Sequence, residues 1–166
     1  MVASALHHYL GNVVRDELAH YRVLRLFSDS CYGQNKNINV LSMLFALRKQ
    51  TIPHLMMNYY FPVRGHSFLP ADRVFGRIER DIKRQDTILF PADYVHILQK
   101  HGNVHVYGSD WDCLDFKSGV TSHCGAVRHF KISKAKVLKV DVDKVGFKAA
   151  FEGHFCYHFV LKKGKT

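Results

Sequence analysis

The first half of the chain alternates twice between helical and extended hydrophobic patterns, and that alternation admits few architectures. Leu6, Leu10, Val13, Val14 and Leu18 fall at helical spacing, so residues 2–18 are predicted as a helix, weakened by Gly11. Arg22 to Phe27 is a short apolar run that stops at Ser28, Asp29 and Ser30, as strands stop at turn-forming residues. Asn35 to Asn39 offers polar caps before a second helix over 38–49, with Val40, Leu41, Leu44, Phe45 and Leu47 as its apolar set. Arg48 and Lys49 suit the negative end of that helix. Pro53 then breaks the chain, and Leu55, Met56, Met57, Tyr59, Tyr60 and Phe61 make residues 54–63 a largely buried strand. Arg64 to Ser67 is a turn. Pro70, Ala71 and Asp72 open a third helix running to about Arg84, with Val74, Phe75, Ile78 and Ile82 inward. Two consecutive strands bridged by a helix run parallel, so this half is predicted as an α/β layer.

Residues after 85 read differently. A helix is predicted over 91–100, then strands over 131–142, 145–151 and 155–162 joined by short turns. Ten Lys and Arg lie from Arg128 onward, against Asp141, Asp143 and Glu152. The expected organisation is an α/β core over 1–84 and a helix plus a basic, β-rich extension over 85–166, packed on that core. With 47% apolar and 23% charged residues in 166, the chain can bury a core, which excludes disorder over most of its length. Lys and Arg total 24 against 14 Asp and Glu, for a formal charge of +10, which favours a polyanionic partner such as nucleic acid. Cys31, Cys113, Cys124 and Cys156 show no CxxC spacing, and the first residues lack a basic stretch followed by an apolar one. Free thiols in a reducing compartment are therefore expected. The longest apolar run, near Val40 to Leu47, is too short to span a bilayer.

Asp29 is the sharpest chemical feature. It sits where the first strand ends, and open parallel sheets gather ligands outside the carboxyl ends of their strands. Asp72, in the first turn of the helix after the second strand, is expected on the same edge. Glu79 lies about 10 Å further along that helix at ~1.5 Å per residue, and His66 lies in the turn before it. Two such carboxylates could hold Mg²⁺ or Mn²⁺ for phosphoryl transfer. Lys36, Arg64, Arg73, Arg77, Arg80, Lys83 and Arg84 are candidates to hold a nucleic-acid backbone beside them. Each residue also has a structural reading. Asp29 can cap its turn, Asp72 can cap its helix, His66 can bond to backbone, Glu79 can pair with a neighbouring cation, and the arginines can be a solvated helix face.

The blocks Ser28 to Asn37 (SDSCYGQNKN) and Gly65 to Gly76 (GHSFLPADRVFG) resemble a family of transposon-derived eukaryotic domains of unknown function, rich in arthropod members. That family is similar to the ribonuclease-H-like catalytic core of Asp-Asp-Glu/Asp transposases and integrases. The resemblance implies Asp29 as second acid, Asp72 or Glu79 as third, His66 as an auxiliary group, Mg²⁺ or Mn²⁺ as cofactor, DNA as partner, and a nuclear location. The first acid of such a core lies on a strand of a preceding hairpin unit, whereas the residues before Arg22 read as helix. The core is therefore expected to lack its N-terminal strands and its cleavage chemistry to be impaired, with Asp16 or Glu17 as conceivable stand-ins. The alternative is a domesticated, non-catalytic module binding nucleic acid or protein. Cys113, His123, Cys124 and His129, with Cys156 and His158 beyond, form the nearest zinc-like cluster, but lack paired short spacing. Cys31 reads more readily as a small buried thiol than as a nucleophile.

Overall fold

The computed structural model describes residues 1–63, 69–116, 118 and 132–159. By contact density the chain forms two compact units, Met1–His66 with Asp112–Thr166, and Ser67–Trp111.

In the first unit, the segment expected as one helix is three pieces: α1 (Val2–His8), a π-helical turn (Tyr9–Val13) and α2 (Arg15–Leu18). The Val14 amide reaches back five residues to Tyr9 O at 3.0 Å, which widens the helix there. Gly11 lies inside this wide turn, and a Cβ on it would stand 3.2 Å from Leu47 Cδ1, so glycine permits close approach to the next helix. That helix, α3 (Ile38–Gln50), begins at Asn37, whose Oδ1 accepts from the amides of Asn39 at 3.0 Å and Val40 at 3.1 Å. It is buried on several sides, since α1 packs against it and it lies over the sheet.

The sheet has five strands in the order β1 (Val23–Phe27), β2 (Met56–Tyr60), β3 (Val137–Val140), β4 (Lys144–Lys148) and β5 (Cys156–Phe159). β1 and β2 are parallel, as the helical crossover requires, and the remaining pairs are antiparallel. The β-rich tail thus joins by edge pairing: β3 bonds directly to β2 and continues one mixed sheet. The fold class is mixed α/β. Strand alternation sends Leu24, Leu26, Met57, Tyr59, Leu138, Val140, Val145 and Phe147 to one face. Met57, Tyr59, Leu138, Val140 and Val145 belong to the core cluster with Val40, Met43, Leu44 and Leu47 of α3, and Leu24, Leu26 and Phe147 pack against it, so the helices cover that face.

In the second unit, α4 (Pro70–Lys83) and α5 (Pro91–Gln99) begin alike, with Leu69-Pro-Ala-Asp72 and Phe90-Pro-Ala-Asp93. Proline needs no amide partner at the first helical position, and each Asp accepts from the backbone before its helix. Asp72 Oδ2 takes the Leu69 amide at 2.8 Å, and Asp93 Oδ2 takes those of Phe90 at 2.9 Å and Leu89 at 3.0 Å. These backbone bonds hold the Asp93 carboxyl below the usual aspartate range. α4 buries no residue fully; Phe75, expected inward, is 64% exposed. A unit of this size cannot cover both sides of a helix.

Candidate functional site

The loop leaving β1 is fastened to β2 and to itself. The Ser28 hydroxyl and the Tyr59 phenol lie 2.7 Å apart, and Ser30 Oγ donates to Pro62 O at 3.3 Å. Burial pushes the Tyr59 phenol up, and the nearby Asp29 charge adds to this against the Ser28 hydrogen bond. Asp29 itself is exposed. Its Oδ1 accepts from the Cys31 amide at 3.2 Å and from Asn35 Nδ2 at 2.6 Å, which closes an Asx turn. Cys31 O then accepts from the amides of Gln34, Asn35 and Lys36, leading into the Asn37 cap of α3. The Gln-Asn-Lys-Asn run is thus spent on ending one turn and starting one helix. Asp29 lies at the carboxyl rim of the parallel pair, with its carboxylate serving the turn.

Lys36 is buried to 3% exposure, its ammonium 4.8 Å from the Phe61 ring centroid and 5.8 Å from that of Tyr32. It sits inside the loop's packing, unlike the exposed cations of α4. Cys31 is partly buried in the same loop.

The later candidates belong to the second unit. Asp72 uses its carboxylate to start α4. Glu79 Oε1 receives Lys83 Nζ at 2.7 Å, one turn away on the exposed surface, and this hydrogen bond holds its carboxyl below the usual range. His66 and Arg64 lie outside the described residues, as do His123, Cys124 and His129 of the zinc reading. Cys113 is exposed and is approached by Ser4 Oγ at 3.9 Å; Cys156 is exposed on β5. Among the described residues no group of three or more His, Cys, Asp or Glu could hold a metal ion. Asp16 forms its ion pair with Arg15 at 3.3 Å. Asp29 has one carboxylate oxygen already committed, and Asp72 and Glu79 each hold a local partner.

What α4 does assemble is a cationic stripe. Arg73, Arg77, Arg80 and Arg84 follow one another at four, three and four residues, so they share a face about 16 Å long at ~1.5 Å per residue. All four are exposed, and Lys83 flanks them. Arg80 Nε donates to Gly76 O at 3.2 Å, and Arg84 stands 3.7 Å from Asp81. Asp72 and Glu79 lie off this stripe, and Asp81 borders it at Arg84.

One pairing escapes sequence reasoning. Asp81 Oδ2 and His101 Nε2 are 2.7 Å apart, with side chains 28% and 15% exposed, so they clip the end of α5 to α4. The signal was an acid placed among Val74, Ile78 and Ile82 on the apolar side of α4, which requires a partner. His101 also borders a depression of about 300 Å³ with Val74, Ile78 and Leu98.

No curated protein and no solved structure matches the chain. One family profile does, described as Domain of unknown function (DUF7869), over residues 1–149. The match spans most of the chain, and the protein belongs to the DUF7869 family.

Proposed function

We propose that this chain is a nucleic-acid-binding domain descended from a ribonuclease-H-like transposase core, acting on DNA in the nucleus, with metal-dependent cleavage impaired within this chain. The observation that carries the binding is the exposed four-arginine stripe of α4 on a chain of formal charge +10. Guanidinium groups suit phosphate by charge and by their fork of donors, and of the four arginines only Arg84 is shown in an ion pair, with Asp81. The ancestry is supported by the parallel β1–α3–β2 unit, with Asp29 placed where the first strand ends. The impairment is supported by how the acids are used: Asp29 closes a turn, Asp72 starts a helix and Glu79 pairs with Lys83. No helix among the described residues is long and apolar enough to cross a membrane.

The test joins binding to chemistry. Full-length protein should bind duplex DNA, and Arg77→Gln with Arg80→Gln should weaken that binding at least several-fold without changing the melting temperature. Mn²⁺ or Mg²⁺ should neither nick the DNA nor raise the melting temperature differently in wild type and Asp29→Asn. Asn can still accept the Cys31 amide, so this substitution keeps the turn while removing the charge. Binding indifferent to the arginine pair overturns the binding role. Metal-dependent nicking abolished by Asp29→Asn overturns the impairment.

A further inference from the structure

The helices of the first unit cover one face of the sheet, and the other face carries a chemistry of its own. By register, Arg25, Asn58, Lys139, Gly146 and Tyr157 form one row across all five strands, and Phe27, Tyr60, Val137 and Lys148 form the row beside it. Phe155 precedes β5 by one residue, and Lys144 is on this face of β4. Gly146 is the floor of the arrangement. A Cβ there would lie 2.8 Å from Tyr157 Cε1 and 3.1 Å from Phe155 Cδ1, so only glycine lets both rings lie over β4. The two ring centroids are 5.9 Å apart. At the far side of the same face Phe27 and Tyr60 stack with centroids 4.9 Å apart and planes within 14°. Phe27 is 55% and Tyr157 47% exposed.

Cations surround the rings. Lys148 Nζ is 4.7 Å from the Phe155 centroid, Lys139 5.9 Å from it, and Lys144 5.2 Å from the Tyr157 centroid. Arg25 is exposed in the middle of β1. No described strand residue on this face is acidic. The nearest acid by register, Asp141 just past β3, accepts from the Val142 amide at 2.9 Å.

We propose that this partly exposed sheet face binds single-stranded nucleic acid, its bases stacking on the Tyr157–Phe155 and Phe27–Tyr60 rings and its phosphates meeting Arg25, Lys139, Lys144 and Lys148. A duplex keeps its bases stacked inside and offers the rings nothing, whereas a single strand offers π faces and phosphates together. The ammonium groups now over the rings are displaced by incoming bases and move to the phosphates alongside. A base stacked on an aromatic ring is a stronger contact than a half-buried lysine over it, so the exchange runs that way. Charge selects against an acid-free basic protein surface, including the same face of a second copy of this chain. The site uses none of the α4 arginines and stands whether or not the transposase reading holds.

The experiment compares fluorescein-labelled oligo-dT, oligo-rU and a matched duplex on the full-length protein at fixed salt. Both single strands should bind at least about tenfold more tightly to this face than the duplex does, with their ratio reporting any preference for DNA or RNA. Tyr157→Ala and Phe155→Ala should each weaken single-strand binding about tenfold and leave duplex binding unchanged. Arg77→Gln with Arg80→Gln should do the reverse, so failure of this site and failure of the α4 stripe are told apart. Because removing a ring also uncovers β4, two further variants protect the result. Tyr157→Phe should keep full affinity, and Lys139→Gln with Lys144→Gln should lower the salt slope of single-strand binding by about 1.4 without touching a ring. Ring and lysine variants that bind single strands as well as wild type overturn the proposal. So does displacement of the oligonucleotide by poly-glutamate at equal charge concentration, which would assign the face to an acidic protein.

Discussion

At the residue scale, the two most buried cations among the described residues behave oppositely. Lys36 has aromatic faces to sit over, while Arg48, 9% exposed on α3, has Nε and Nη1 without a hydrogen-bond partner among the described residues. An unpartnered buried guanidinium is a cost that an apolar side chain of similar length avoids. Arg48→Met should therefore leave the urea midpoint unchanged or raise it. A loss of more than about 1 kcal/mol would mean that the guanidinium has a partner the fold depends on. Sequence reading placed Arg48 at the helix end for the dipole, because charge and position were visible and enclosure was not. It offered Lys36 to a phosphate for the same reason: a lysine in a polar run looks exposed until the strand and loop that flank it are folded together. Asp29 was left between turn cap and ligand. Its bonds to Cys31 and Asn35 show the cap, and a partner six residues along the loop could not be anticipated from one carboxylate.

At the scale of elements, the starts were legible wherever a residue carries an obligatory local role. Asn37, Pro70 with Asp72, and Pro91 with Asp93 each mark a helix that begins there in the structure. Among the described residues the first two strands of the tail, Val137–Val140 and Lys144–Lys148, lie within the expected 131–142 and close to the expected 145–151, and pairing with neighbours sets their ends. The N-terminal helix was read as continuous because periodicity does not distinguish a π turn from an α turn. That turn follows from a tertiary need, the approach of Gly11 to Leu47. The α5 start carries a pH dependence. The Asp93 carboxyl is held below its ordinary range by the amides of Phe90 and Leu89, so its folded value lies under its unfolded one. Its contribution is complete above the unfolded aspartate value and fades as pH falls through the folded one. Amide exchange of α5, corrected for intrinsic rates, should lose protection as pH falls below about 4. Asp93→Asn should flatten that dependence, and an unaltered acid profile in the variant would assign it to another group.

At the scale of the whole molecule, the parallel β1–α3–β2 unit was legible from order alone, since a helix between two strands leaves little choice. The continuation of that sheet by β3–β5 was not, because nothing in a strand's sequence names its neighbour. Neither was the bare sheet face. Tyr157, Phe155 and the lysines read one by one as ordinary strand residues, and only the register and Gly146 bring them into one surface. The account as a whole holds that this basic chain meets phosphates through the α4 arginines. The measurement closest to that claim is the dependence of duplex-DNA affinity on salt for the full-length protein and for Arg73→Gln, Arg77→Gln, Arg80→Gln and Arg84→Gln combined. Each phosphate contact adds about 0.9 to the log–log slope, so the wild type should show a steep decline and the variant a slope shallower by about 3 to 4. Equal slopes for the two proteins would contradict the account.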